Sequence, residues 1–319
     1  MLWDGRAPAR RPDLIALPAD APPAPKGYPT EHALFLAFYL NKVPLLETEN
    51  VVVPASIEER LGVEYGRIGD RPLQLDLYRL RNLDKPAPVL IFIHGGGWRK
   101  GSRDDYLPYA VPFAEKGYVV ATISYRLVQE AGFPAAVEDS KCAVRWLREN
   151  AAEVNADPDR MAVIGGSAGG YLALMVGYTA DEPELNNSGG HEGVSSAVAA
   201  VVDLYGPVDL TTPYAREHET ITDFIKKPYT DDPALYEYAS PLSHLDADDP
   251  PTFVLHGTID SLVPVTQSDL LVEKLAELGI DHWYDRLDGW PHTMDLAEPV
   301  NARVVALVEA FLVKHLGAP

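Results

Sequence analysis

A serine stands among small residues near the middle of the chain, where residues 165–169 read Gly-Gly-Ser-Ala-Gly. The apolar run 161–164 precedes them and predicts a short buried strand that turns directly into a helix. Small neighbours let the corner residue adopt a strained backbone conformation with its hydroxyl exposed. The first amide groups of the new helix would then face any negative charge that develops beside that hydroxyl. The motif predicts that Ser167 is a nucleophile.

Three successive glycines lie upstream, in the run His-Gly-Gly-Gly-Trp at 94–98, directly after the apolar run 89–93. Backbone N–H groups without neighbouring side chains are what an oxyanion hole for a tetrahedral intermediate requires. An isolated glycine triplet is more typical of a flexible turn. Its place after a buried strand and before the serine motif favours the oxyanion interpretation. The sequence does not decide which of Gly95, Gly96 and Gly97 would donate.

A serine hydroxyl needs a base, and His292 is the histidine that we predict for this role. It lies in the loop 289–293, after the strand-like run 282–287 and before a C-terminal helix, which is the place of the last member in the chain order Ser, Asp, His. The remaining eight histidines are predicted to brace loops or to lie at the surface; they are His32, His94, His191, His218, His244, His256, His282 and His315.

The acid must be chosen among 47 Asp and Glu residues. Asp260 lies in the loop that leaves the apolar run 252–256, on the strand before the one that carries His292, so both loops would meet at one edge of the sheet. Asp285 and Asp288 are closer to His292 in sequence. Asp285 falls within a strand, however, and Asp288 would have to fold back within one loop. Asp260 is therefore the predicted acid.

These motifs, in this order, resemble those of the α/β-hydrolase esterases and lipases with an HGGG motif, the hormone-sensitive-lipase-like group. The resemblance is closest to the BD-FAE-like, feruloyl-esterase-type carboxylesterases and rests on HGGGW and on residues 124–127, 164–170 and 256–264; it covers about residues 60–316. It implies the α/β-hydrolase fold, a Ser-Asp-His triad and an oxyanion hole formed by the N–H groups of Gly96, Gly97 and Ala168. The pair Trp290-Pro291 departs from the pattern, because relatives more often carry small residues before this histidine.

The resemblance implies a serine carboxylesterase that acts on small or aromatic esters. Trp98 and Trp290 flank the two catalytic loops and are candidate substrate-binding residues, since an aromatic wall would suit a cinnamoyl or aryl group; structural packing is an equally open interpretation. Feruloyl, acetyl, short-chain and polyester substrates all remain open. The alternatives are an amidase or aryl-formamidase and a serine peptidase with the same triad. A non-catalytic binding protein is disfavoured because the serine, acid and base are all present.

The order of elements predicts an α/β protein with a mostly parallel central sheet flanked by helices. Residues 1–50 form a Pro/Ala-rich arm (1–29) and an apolar helix, which either covers the active site or packs on the core. Residues 51–319 form the catalytic domain, with an aromatic-rich, cap-like insertion at about 207–245 and a flexible loop at 181–196. The alternating run 73–78 is expected to be an edge strand.

Composition limits the partners. The net charge of −20 disfavours nucleic acid and anionic membrane surfaces. A single cysteine, Cys142, excludes an internal disulfide, and we expect it to be a buried thiol. We expect a small-molecule ester substrate, no cofactor or metal, no membrane span, and a monomer or homodimer. Residues 1–11 show no signal peptide, which makes a soluble, cytoplasmic protein the default expectation.

Overall fold

The computed structural model describes residues 17–46, 51–186 and 188–319. The first sixteen residues of the predicted arm, with the stretch interpreted for a signal peptide, lie outside the described residues, as do residues 47–50 and Asn187 of the predicted loop. Among the described residues, no helix is both long enough and apolar enough to cross a membrane.

One eight-stranded sheet organises the described chain, in the order β1-β2-β4-β3-β5-β6-β7-β8. The first two pairings in this order are antiparallel and the other five are parallel, so the expected mostly parallel sheet is confirmed. The central strand β3 is buried at all seven positions, as its continuous apolar run predicts. The strands are β1 Ile57–Ile68, β2 Arg71–Leu80, β3 Ala87–Ile93, β4 Val119–Ile123, β5 Ala156–Gly166, β6 Ala200–Leu204, β7 Thr252–Gly257 and β8 His282–Leu287.

Helices cover both faces of the sheet. The core on one face includes residues of α3, α5, α7, α8 and α10, and the core on the other face includes residues of α1, α2 and α11. The helices are α1 Glu31–Tyr39, α2 Leu107–Glu115, α3 Ala135–Glu149, α4 Ala151–Val154, α5 Ala168–Tyr178, α6 Pro213–Arg216, α7 Glu219–Ile225, α8 Pro233–Tyr238, α9 Pro241–His244, α10 Thr266–Leu278 and α11 Glu298–Leu316.

The prediction of an edge strand at residues 73–78 is wrong. These residues lie in β2, which pairs with β4 on one side and with β1 on the other, so β1 is the edge. The polar residue Asp76 that suggested a solvent-facing side is buried. Its carboxylate accepts a hydrogen bond from Gly62 N at 2.6 Å and forms an ion pair with Arg103 at 2.8 Å. The alternation of apolar and polar residues in this run therefore reflects a buried, paired carboxylate at Asp76, although exposure to solvent would produce the same pattern.

The predicted cap-like insertion forms four short helices, α6 to α9, between β6 and β7. It is anchored by Phe224, whose ring stacks on Trp98 at 4.2 Å, and by Tyr171, whose hydroxyl donates to Ala239 O at 2.7 Å. Arg99 adds an ion pair to Asp223 of α7 at 3.0 Å. These contacts tie the insertion to the glycine-rich loop and to α5, while its action as a gate stays a prediction. Cys142 is buried, as expected.

Asp203 on β6 is a fully buried carboxyl group. Its Oδ1 accepts a hydrogen bond from Gly206 N at 2.9 Å, whereas Oδ2 has no hydrogen-bond partner among the described residues. Burial raises the pKa of Asp203 from 3.8 to about 7, because the hydrogen bond from Gly206 does not outweigh the loss of hydration.

We expect this group to make folding stability fall with rising pH. The folded state holds the proton more tightly, so its stabilisation is complete below about pH 4 and is lost by about pH 7, with a total of at most about 4 kcal/mol. Asp203→Asn removes the titration while keeping the acceptor for Gly206. The Tm of the variant minus the Tm of the unsubstituted protein should therefore be more positive at pH 8 than at pH 4.5. Thermal unfolding at the two pH values measures this, and an equal Tm difference at both would contradict it.

Candidate active site

Ser167 is the single residue at which β5 passes into α5. Its φ of +58° and ψ of −122° are strained for a residue with a side chain. The corner is tight enough to require glycine nearby, since a Cβ on Gly165 would lie 2.2 Å from the carbonyl oxygen of Gly169. The backbone N–H of Ser167 donates to Leu204 O of the neighbouring strand at 2.8 Å. The sharp turn leaves the Ser167 hydroxyl at the carboxyl edge of the sheet.

His292 reaches this hydroxyl from the loop that follows β8. Its Nε2 lies 2.9 Å from Ser167 Oγ, and its Nδ1 lies 2.6 Å from Asp260 Oδ2. Because a carboxylate only accepts hydrogen bonds, Nδ1 carries the proton of the neutral ring. Nε2 is then free to accept the hydroxyl proton of Ser167. The geometry joins the three predicted side chains in one hydrogen-bonded chain.

Asp260 lies in the loop after β7 and is held by four N–H donors. Its Oδ1 accepts from the backbone of Leu262 at 2.9 Å and of Val263 at 2.8 Å. Its Oδ2 accepts from His292 and lies 3.1 Å from His256 Nε2. Burial acts to raise the pKa of Asp260, but the hydrogen bonds from His256 and His292 outweigh it and hold the pKa below its usual value. The carboxylate therefore stays ionised at neutral pH.

The other two candidate acids, Asp285 and Asp288, contact residues other than His292. Asp285 forms a two-bonded ion pair with Arg303 of α11, at 2.8 and 2.9 Å. Asp288 lies in the histidine loop, where its Oδ1 accepts from the Thr258 hydroxyl at 3.2 Å. Both carboxylates hold local structure, and only Asp260 of the three is within hydrogen-bond distance of His292 among the contacts of the described residues.

The glycine-rich loop after β3 lies across from Ser167. Gly96, Gly97, Ser167 and Ala168 all line one cavity of about 840 Å³. Gly96 has a φ of +100°, and a Cβ there would lie 2.2 Å from Lys100 O, so only glycine fits. Among the described residues, no hydrogen bond uses the N–H groups of Gly96, Gly97 or Ala168. These three N–H groups are therefore candidate donors to an oxyanion.

His94 supports this loop from beneath, as a brace rather than a base. Its ring stacks on Tyr125 at 4.3 Å, and the Tyr125 hydroxyl donates to His94 O at 2.9 Å. Burial lowers the pKa of His94, which favours the neutral ring.

The two candidate substrate-binding tryptophans have different positions. Trp98 lines the cavity, although only 2 % of its surface is exposed because its ring stacks on Phe224. Trp290 does not line the cavity. Its ring packs edge-on against Tyr28 at 6.0 Å, and its carbonyl accepts from Ile259 N at 3.1 Å. The prediction of a pocket wall at Trp290 is corrected, because pairing of its backbone with the acid loop directs the indole toward the N-terminal arm.

Comparison with known proteins shows the family to which the chain belongs. The BD-FAE family model matches residues 75–275, which is more than half of the chain. The chain belongs to the BD-FAE family. It is 36 % identical over 253 residues to Esterase LipQ of Mycobacterium tuberculosis, covering 76 % of this chain and 59 % of that protein. It is 35 % identical over 271 residues to the probable carboxylic ester hydrolase LipM of the same organism, covering 80 % and 62 %. The chain thus spans about three-fifths of the length of these curated relatives.

Solved structures show the α/β-hydrolase fold of this BD-FAE member. A truncated carbohydrate esterase from gut microbiota superposes with a TM-score of 0.68 at 25 % identity, over 81 % of this chain and 96 % of that one. The butyrate-bound esterase 2 of Thermogutta terrifontis gives a TM-score of 0.71 at 25 % identity, over 83 % and 96 %.

Sequence reasoning missed a polar wall beside the triad of this BD-FAE protein. Tyr106, Tyr109, Tyr205 and Asp295 line the cavity and are nearly buried. The hydroxyls of Tyr109 and Tyr205 both donate to the Asp295 carboxylate, and the Tyr205 ring lies 4.7 Å from that of His292. These residues come from three separate segments of the chain, around residues 106–109, 205 and 295, so no local motif marked them. His256 was interpreted as a loop brace, and the contact of its ring with Asp260 had no signal in the sequence.

No metal site accompanies the triad in the described part of the chain, since no three His, Cys, Asp or Glu side chains there are grouped to hold an ion.

Backbone strain is concentrated in the lining of the cavity. Four non-glycine residues with positive φ line the cavity, namely Trp98, Ser167, Tyr205 and Thr293. Strained backbone of this kind persists only where the surrounding structure determines it.

The N-terminal arm supports the histidine loop through backbone contact. Tyr28 N donates to Gly289 O at 2.9 Å. Gly27 lies so close that a Cβ there would be 1.8 Å from Asp288 O. The backbones of the arm and of the histidine loop are so close that no side chain fits between them.

We expect Gly27→Ala to displace the loop that holds His292. Small errors in the position of a catalytic base are costly, so kcat/KM on a soluble ester should fall roughly 10- to 100-fold. Lys26→Ala is the matched control, because it removes an exposed neighbouring side chain without adding a Cβ at the contact. Steady-state kinetics with both variants checks this, and an unchanged kcat/KM in Gly27→Ala would show that the arm does not position the loop.

Proposed function

We propose that this protein is a serine carboxylesterase in which Ser167 is the nucleophile, His292 the general base and Asp260 the supporting acid. The observation that carries the proposal is the continuous hydrogen-bonded chain from Ser167 Oγ through His292 to Asp260, at 2.9 and 2.6 Å. Its setting beside three unused backbone N–H groups in a cavity supports acyl transfer rather than a structural role.

In acylation, His292 Nε2 takes the hydroxyl proton as Ser167 Oγ attacks the ester carbonyl carbon. The charge that develops on the carbonyl oxygen is bound by the N–H groups of Gly96, Gly97 and Ala168. The imidazolium that forms is stabilised by the Asp260 carboxylate, which stays ionised. The imidazolium then donates its proton to the departing alcohol, so the ester C–O bond breaks and an acyl-enzyme remains.

In deacylation, water takes the place of the alcohol. His292 removes a proton from the water as it attacks the acyl carbon, and the same N–H groups bind the second oxyanion. The Ser167–acyl bond breaks, Ser167 Oγ regains its proton from His292, and the carboxylic acid leaves. The two steps restore every group of the triad.

Esters of small or aromatic acids are the proposed substrates. Trp98, Tyr205, Tyr214 and Ile221 supply apolar surface in the cavity, and its volume of about 840 Å³ accommodates a small ester. The names of the matched mycobacterial relatives support ester hydrolysis over amide hydrolysis. Feruloyl, acetyl and short-chain groups are compatible with this cavity, and an amidase is the alternative with the same machinery.

A panel of substrates tests the assignment. Hydrolysis of p-nitrophenyl acetate, p-nitrophenyl butyrate and methyl ferulate should exceed that of an acetanilide by at least tenfold in kcat/KM, and Ser167→Ala should abolish all of it. A fluorophosphonate should add its mass to the unsubstituted protein and not to the variant. A preference for the anilide would make the protein an amidase. The absence of both labelling and turnover would leave a binding protein.

The identity of the acid is tested by paired substitutions. Asp260→Asn should lower kcat by about 10⁴-fold, since it stabilises the wrong tautomer of His292 and removes the charge that supports the imidazolium. Asp288→Asn should keep kcat within a few-fold, because that side chain contacts Thr258 and not the base. Kinetics on one soluble ester decides this, and a reversed order of the two effects would assign the acid to Asp288.

A further inference from the structure

Large apolar side chains are exposed chiefly around the mouth of the cavity. Ten such side chains are prominently exposed among the described residues, and three of them are Val52, Leu61 and Val313. The remaining seven form what we call the apolar rim: Phe35, Leu36, Tyr39, Leu40, Leu45, Leu262 and Leu296.

Contacts along the chain place this rim at the mouth. Leu262 and Leu296 line the cavity itself. The start of α1 adjoins the acid loop, where the Ser261 hydroxyl donates to Glu31 Oε1 at 2.8 Å. The segment after α1 adjoins the loop after His292, where Leu46 N donates to Leu296 O at 2.8 Å. The segment that carries the rim therefore adjoins the mouth of the cavity at both of its ends.

Helix α1 turns apolar side chains outward as well as inward. Leu34 and Ala37 are buried, whereas Phe35, Leu36 and Tyr39 are 59 %, 58 % and 85 % exposed. A helix that only covers a core has a polar outer face. These three exposed side chains do not line the cavity, so a dissolved ester bound there would not need them. Their exposure points to something larger than one substrate molecule.

Charge indicates the kind of surface that fits. The chain has a net charge of −20, yet residues 32–46 contain no Asp or Glu, and Lys42 is their only permanent charge. Two carboxylate residues border this stretch: Glu31 precedes it in the chain, and Glu298 adjoins it, since its N–H donates to Pro44 O at 3.0 Å. An apolar patch bordered by acids would be repelled by an anionic surface and favours an uncharged one.

We propose that the apolar rim adsorbs the protein to the surface of an uncharged, water-insoluble ester phase, with the cavity opening toward that phase. The inference rests on the proposed function for the identity of the cavity. Burial of the outward side chains of α1 in the ester phase drives adsorption, and ester molecules then enter between Leu262 and Leu296. The substrate class is thus narrowed to esters that form a separate phase.

The test compares dissolved and emulsified esters in the full chain. Phe35→Gln/Tyr39→Gln replaces two outward side chains by residues that favour helix, and Leu61→Gln is the matched control on β1, where the leucine is 63 % exposed. The double variant should keep the kcat/KM of the unsubstituted protein on dissolved p-nitrophenyl acetate. On a tributyrin emulsion its rate should fall roughly tenfold, while Leu61→Gln should match the unsubstituted protein on both substrates.

Adsorption is measured separately by flotation of the Ser167→Ala protein with tributyrin droplets, with and without the double substitution. Flotation that the double substitution removes supports the proposal. The proposal is overturned if the unsubstituted protein, the double variant and Leu61→Gln hydrolyse the emulsion at equal rates. It is also overturned if the double variant loses as much activity on the dissolved ester as on the emulsion. Sedimentation is the third measurement. If the protein does not float with the droplets but sediments as a dimer that the double substitution dissociates, the proposal is overturned, and the apolar rim binds a second copy of the chain instead. Failure of the proposed function is distinct, since it abolishes turnover of the dissolved ester and leaves flotation unchanged.

Discussion

The passage from β5 to α5 through one strained residue is the constraint on which the site depends. A helix that starts immediately after a strand has its first N–H groups exposed at the carboxyl edge of the sheet, beside the side chain of the corner residue. Ser167 pays for this position with a positive φ, and close contact of Gly165 with Gly169 makes the corner possible. Because β3, β7 and β8 run parallel to β5, their loops end at the same edge. The glycine-rich loop, Asp260 and His292 therefore converge on the hydroxyl of Ser167.

A buried carboxylate is stable beside this hydroxyl only because its hydrogen-bond capacity is filled. Desolvation opposes the charge of Asp260, and the N–H groups of Leu262, Val263, His256 and His292 outweigh that cost. His256 Nε2 also lies 2.8 Å from Val263 O, so the same ring joins the acid to its own loop. The position and the ionisation of the acid thus have one physical origin. Asp203 on β6 shows the contrast, since its carboxyl group is buried with one hydrogen-bond donor among the described residues and has its pKa raised to about 7.

The surroundings of the cavity are formed in part by segments outside the regular alternation of strands and helices. The N-terminal arm contacts the histidine loop, the insertion contributes Tyr214 and Ile221, and α1 adjoins the acid loop. These segments do not carry the proposed chemistry, and their control of access to the cavity stays a prediction. The chain carries a net charge of −20, yet the exposed apolar side chains of α1 lie in a stretch, residues 32–46, that contains no carboxylate. This contrast in charge is the basis for the proposed adsorption to an uncharged phase.

The sequence by itself determined the features that local pattern and chain order control. Continuous apolar runs marked the buried strands, glycine marked the tight corner at Ser167, and the order of the loops placed Asp260 and His292 at one edge of a parallel sheet. Tertiary structure alone decided where side chains point and which segments meet. It turned Trp290 toward the arm, made β2 an inner strand, and assembled the polar wall around Asp295 from three separate segments. The reason is physical: a residue's propensity depends on its neighbours in the chain, whereas its environment depends on packing partners that are distant in sequence.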